Sequence, residues 1–153
     1  MYLISACLLG VKCRYDGGSK QSDDLAELAA GGAVIPVCPE QLGGLPTPRN
    51  PCEISMGTGA DVLDGKCRVI SNAHTDVTDH LLTGAKETLK LAKACGVKKA
   101  ILKARSPSCG SGQIYDGSFS GHIIDGNGVT AELLSRNGIK VFTEENFSRE
   151  ERK

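Results

Sequence analysis

Seven cysteines in a chain of 153 residues are the side chains best suited to chemistry, and three of them share one local setting. Cys7 follows the apolar run Tyr2-Leu3-Ile4-Ser5-Ala6, Cys38 follows Ala33-Val34-Ile35-Pro36-Val37, and Cys109 comes shortly after Ala100-Ile101-Leu102-Lys103. Each run has the residue types of a short buried strand, and each gives way to a loop rich in glycine or proline. If these runs are parallel strands of one sheet, their carboxyl ends open onto a common crevice, where open α/β sheets place ligands. Three thiols meeting at one point form a soft donor set, suited to a metal ion or an iron–sulfur cluster.

The spacing of the cysteines argues against several other chemistries. No pair is spaced Cys-x-x-Cys, so a zinc ribbon and a thioredoxin-type redox pair lack support. A cysteine phosphatase loop would place arginine where this chain has Cys13, after Cys7, and Tyr115, after Cys109. A metal-free cysteine nucleophile wants a nearby base, yet none of His74, His80 and His122 lies in a motif beside a thiol. Cys67 and Cys95 read as packing thiols.

Polar groups accompany the three thiols. Cys38-Pro39-Glu40 puts a carboxylate two residues past a thiol. Ser106-Pro107-Ser108-Cys109-Gly110-Ser111-Gly112 brings hydroxyls and backbone N–H groups, with glycines that permit close approach to a ligand.

The elements that would position these groups alternate between strand and helix. A helix starts at Ser22 or Asp23, presents Leu25, Leu28 and Ala29 on one face, and stops at Gly31-Gly32. The strand Ala33 to Val37 leads into a Pro/Gly loop running to about Gly59. Val62 to Ile70 contains Asp64-Gly65 and reads as a hairpin. The longest helix is expected from Asp76 to Cys95, with Val77, Leu81, Ala85, Leu89 and Ala92 at helical spacing and Gly96 ending it. After the strand Lys99 to Lys103, a second small hairpin is expected around Gln113 to Gly117. A helix from Val129 to Arg136 and a strand from Ile139 to Phe142 complete the pattern. This is the sequence of one α/β domain over residues 1–148, an open, mostly parallel, Rossmann-like sheet flanked by helices, with one or two hairpin insertions. Residues 149–153 read as a charged tail.

Lys plus Arg equals Asp plus Glu at 18 each, and Trp is absent, so neither charge nor stacking residues point to polymeric nucleic acid. No apolar run reaches membrane-spanning length and the start lacks a signal-peptide pattern, which leads to a cytoplasmic expectation. There thiols stay reduced, and ligation or catalysis explains cysteines better than a disulfide framework.

Taken together, Ser5-Ala6-Cys7-Leu8-Leu9-Gly10, Arg14-Tyr15-Asp16-Gly17-Gly18, Val37-Cys38-Pro39-Glu40-Gln41-Leu42-Gly43-Gly44-Leu45-Pro46-Thr47-Pro48-Arg49 and Lys103-Ala104-Arg105-Ser106-Pro107-Ser108-Cys109-Gly110 resemble the thiouracil desulfidase family in its short, single-domain form. The resemblance extends through Thr143-Glu144-Glu145-Asn146. It implies a [4Fe-4S] cluster held by Cys7, Cys38 and Cys109, with the fourth iron open to substrate sulfur. It also implies a non-redox reaction in which water replaces the sulfur of a thiolated pyrimidine, giving the oxo-pyrimidine and hydrogen sulfide. Glu40 and Ser106 are then the catalytic candidates. Asp16, Arg49 and Ser108 are the candidates for holding substrate, although a turn for Asp16 and a surface position for Arg49 are the plainer readings. Cluster-assembly machinery is the expected protein partner. Two other readings stand beside this one: a non-catalytic iron–sulfur carrier or sensor, and a zinc-stabilised small-molecule-binding domain.

Overall fold

Short apolar runs bury both faces when they lie inside a parallel sheet, and this dictates the centre of the molecule. The structure is a computed structural model and describes residues 1–147, so the expected tail at 149–153 lies outside the described residues. In chain order the elements are β1 (Tyr2–Ser5), α1 (Asp23–Ala30), β2 (Val34–Val37), α2 (Pro39–Leu42), β3 (Cys52–Ser55), α3 (Gly59–Leu63), β4 (Arg68–Ser71), α4 (Thr78–Ala94), β5 (Lys99–Leu102), β6 (Gln113–Tyr115), β7 (Ile123–Asp125), α5 (Val129–Arg136) and β8 (Lys140–Thr143). A 3-10 turn over Ala6–Leu9 follows β1.

The main sheet has the order β2-β1-β5-β8, with every pairing parallel. Alternation along the strands sorts the core. Leu3, Ala100 and Leu102 face Ala92 of α4 and Leu134 of α5, while Tyr2, Ile4 and Ile101 face Leu25 of α1. The chain leaves β1 toward β2 on one side and returns to β5 on the other, so β1 and β5 flank a topological switch point.

Two expectations needed correction. Asp64-Gly65 ends a helix instead of turning a hairpin: Val62 and Leu63 belong to α3, whose first turn is capped where the Asp61 carboxylate accepts the Thr58 N–H at 2.9 Å. Aspartate followed by glycine serves a helix stop as well as a hairpin turn, and here the cap decides. The partner of β4 is instead β3, antiparallel, with Cys52 opposite Ser71. That strand, and the short helix α2, lie within the span read as a Pro/Gly loop. The second hairpin is present as β6 paired with β7.

Packing of α2 on α4 is unusually intimate. A Cβ added at Gly84 would lie 2.0 Å from the Pro39 carbonyl oxygen, and one added at Gly43 would lie 2.0 Å from that of His80. Nδ1 of His80 lies 2.7 Å from the Gly43 carbonyl. The helix carrying Glu40 is thereby seated directly on the longest helix of the molecule.

Candidate active site

Because β1 lies between β2 and β5, the chain leaving the three strands delivers Cys38, Cys7 and Cys109 side by side at one end of the sheet. All three line one cavity of about 540 Å³, together with Glu40, Ser106 and Arg49. Cys7 and Cys109 are buried and Cys38 is partly so.

Hydrogen bonds tie the thiols to their surroundings. The Ser5 hydroxyl accepts the Lys103 N–H at 2.9 Å and donates to Cys109 Sγ at 3.4 Å. Cys38 Sγ donates to the Cys13 carbonyl at 3.6 Å. Burial pushes the Cys109 thiol up to about 12, against the Ser5 hydroxyl that pulls it down. The Cys38 thiol is held well above the ordinary range by the neighbouring Cys13 thiol and then by burial.

Glu40 stands in the first turn of α2, where Pro39 opens the helix. Its Oε1 accepts the Arg49 Nε–H at 3.1 Å. The same guanidinium donates from Nη1 to the Pro46 carbonyl at 3.1 Å and Thr47 Oγ1 at 2.9 Å, and from Nη2 to the Cys13 carbonyl at 2.9 Å. Its side chain is only 7% exposed. Arg49 is therefore a buried pin joining α2, its own loop and the Cys13 loop, which corrects the plainer reading of a surface arginine. Ser106 Oγ accepts the N–H groups of Ser108 and Cys109 at 3.1 and 3.0 Å. Two incoming donors leave its own O–H to donate, and the residue lines the cavity.

The sequence profile of the 2-thiouracil desulfurase family matches residues 2–146. The chain belongs to this family. YbbK, an uncharacterized protein of Bacillus subtilis (strain 168), is 46% identical over 144 residues, spanning 94% of this chain and 95% of its own. Among solved structures, the [4Fe-4S]-dependent thiouracil desulfidase TudS matches with a TM-score of 0.84 and 44% identity, over 95% of this chain and 91% of that one.

Two of the candidate residues fall outside the cavity lining. Ser108 is fully buried, with its hydroxyl 2.8 Å from that of Thr130 and its carbonyl accepting the N–H groups of Thr130 and Ala131. It anchors α5 to the Cys109 loop, and its side chain also hydrogen-bonds the Cys109 thiol. Asp16 makes a turn, its Oδ1 accepting the Gly18 N–H at 2.8 Å. It also does not line the cavity, in accord with its plainer reading.

The cavity also holds residues outside the candidate set drawn from the sequence. Cys13 and Cys52 line it, and the Cys13 thiol interacts with those of both Cys7 and Cys38. Burial and the Glu40 carboxylate hold the Cys52 thiol high. Lys103 and Arg105 lie on the wall, paired with Glu144 at 3.0 Å and Glu145 at 2.7 Å. These contacts explain what the Thr143-Glu144-Glu145-Asn146 motif does: it fastens the loop leaving β5, and Glu144 Oε1 accepts the Ala104 N–H at 2.7 Å. Ser5 had a usable signal, its place as the last residue of the strand before Cys7.

Proposed function

We propose that the chain is a [4Fe-4S]-dependent desulfidase. It takes a thiolated pyrimidine and water to the oxo-pyrimidine and hydrogen sulfide, one C–S bond being replaced by one C–O bond with no change of oxidation state. The observation that supports this best is the meeting of Cys7, Cys38 and Cys109 with Glu40 and Ser106 on one cavity wall.

The donor set fits a cluster. Three thiols come from three neighbouring strand ends, one fewer than the four that an ordinary [4Fe-4S] cluster takes. When bound by Cys7, Cys38 and Cys109, such a cluster supplies an iron with an open position, a Lewis acid for a thiocarbonyl sulfur.

The protein's own residues do the rest. Arg49 occupies Glu40 Oε1 and so orients the carboxylate, whose second oxygen takes the proton of the attacking water and later returns it to the departing sulfur. Ser106 directs its O–H into the cavity and aligns the ring. Ser5 supports Cys109 with an O–H···S bond, a contact of the kind that tunes a cluster. Assembly proteins would load the cluster in a reducing cytoplasm, where the seven cysteines, all free, stay available. Among the described residues, no helix is long and apolar enough to cross a membrane.

Protein purified without oxygen, assayed for iron and sulfide and then given 2-thiouracil in 18O-water, tests this. Labelled uracil and sulfide should appear in equal amounts. An intact cluster that releases no sulfide from thiolated bases, nucleosides or nucleotides would make the chain a carrier or sensor.

A further inference from the structure

The chain has three Tyr, three Phe and no Trp, and these six rings divide into two sets. Tyr2, Phe142 and Phe147 pack edge to face, with centroids 5.5 Å apart between Tyr2 and Phe147 and between Phe142 and Phe147. The other three, Tyr15, Tyr115 and Phe119, all line the cavity. A chain so poor in aromatic residues thus places every ring outside that one cluster at its candidate active site.

Phe119 is the ring whose placement the fold enforces most. It lies at the tip of the β6–β7 hairpin, is 40% exposed, and has φ +56°, a left-handed conformation that a bulky side chain rarely adopts. Two features hold it there. Oε1 of Glu53, on β3, accepts the N–H groups of both Gly117 and Phe119, at 3.0 and 3.2 Å. Gly117, at φ +94°, comes so near β3 that a Cβ would sit 2.5 Å from the Ile54 carbonyl oxygen. Hairpin tips are ordinarily free to relax, whereas this one is latched in a strained shape with its ring on the cavity wall. Such strain persists where the surroundings over-determine it, commonly at ligand clamps.

We infer that Phe119 is the substrate-covering residue, packing on the face of the planar pyrimidine, and that Glu53 is its positioning residue. This rests on the desulfidase reading and adds a selection rule to it. Stacking reads a flat π-face and makes no hydrogen bond. Phe119 therefore accepts 2-thio and 4-thio rings alike and discriminates against a puckered, saturated ring.

The test uses holoenzyme. F119A should raise KM for 2-thiouracil and for 4-thiouracil by about tenfold, the size of a lost base–aromatic stack. Its kcat should stay within about threefold, as expected when uniform binding is removed. F119Y and F119W should restore KM, whereas F119L should not. E53A should reproduce the KM shift by releasing the tip, and E53Q, which keeps an acceptor oxygen, should stay near wild type. Calorimetric titration needs no turnover: F119A should bind uracil about tenfold more weakly and dihydrouracil as wild type does. Unchanged KM and uracil affinity in F119A, or full rescue by F119L, overturns the inference. Wild-type holoenzyme that binds uracil but releases no sulfide from thiouracil defeats the desulfidase reading, and the uracil titration still decides the role of Phe119.

Discussion

Arg49 Nε lies 3.1 Å from Glu40 Oε1, and the guanidinium's other nitrogens reach the Cys13, Pro46 and Thr47 oxygens. One buried cation thus fixes the carboxylate proposed to move protons and, through the Cys13 carbonyl, the loop running on from Cys7. The acid–base group and part of the sulfur-bearing wall share a support, so damage at Arg49 reaches both.

Glu40→Gln keeps an acceptor oxygen for Arg49 but cannot exchange the proton. Iron, sulfide and visible absorbance should match wild type while kcat falls by at least about a hundredfold. Comparable turnover in this variant would remove Glu40 from the mechanism.

Arg49→Ala leaves a nearly buried carboxylate and the Cys13 carbonyl without their donor. A loss of about 3 kcal/mol in stability is expected by chemical denaturation, along with most of the activity. Arg49→Lys restores the charge but not the planar fork that serves these acceptors, and should recover stability better than turnover.

Cys7→Ser, Cys38→Ser and Cys109→Ser should each lose cluster iron, because each removes a soft ligand. Cys95→Ser and Cys67→Ser should retain it. Cys13 and Cys52 also line the cavity, so Cys13→Ser and Cys52→Ser discriminate: full iron content in both confirms the three-thiol set.

In metal-stripped protein the Cys109 thiol titrates near 12, above its ordinary 9.0. The unfolded chain therefore releases this proton first, so its contribution to stability is complete below about pH 9 and disappears as pH rises toward 12. Thermal unfolding of the stripped protein should weaken across that window, less so in Cys109→Ala. Mass-spectrometric alkylation at pH 8 should label exposed Cys95 before the buried Cys7, Cys13, Cys52 and Cys109.

Gly84→Ala should dislodge α2 from α4, since its methyl group would overlap the Pro39 carbonyl. Overpacking of this kind costs about 1–3 kcal/mol. Cys38 and Glu40 flank Pro39, so lower iron content should accompany the lower melting temperature.

Much of this arrangement is legible in the residue order because its signals are local. Ser22 caps α1, Gly96 at φ +67° follows α4, and the apolar run before each of Cys7, Cys38 and Cys109 is a strand or leads from one. Once those strands are parallel neighbours, the three thiols must emerge at the same end. Other features depend on partners far along the chain. Pairing of β3 with β4 turned a presumed loop into a strand, and the Thr58–Asp61 cap turned a presumed hairpin arm into α3. Ser108, two residues from Ser106, turns toward Thr130 while Ser106 faces the cavity. Arg49 became a buried pin because the Cys13 carbonyl and the Glu40 carboxylate close around it, and Phe119 reached the cavity because Glu53 and Gly117 dock its hairpin. Residue order alone determined which strand ends carry sulfur, since helix caps and strand periodicity act over a few residues. Only the tertiary structure decided which polar and aromatic side chains face those sulfurs, since that orientation is set by contacts between segments tens of residues apart.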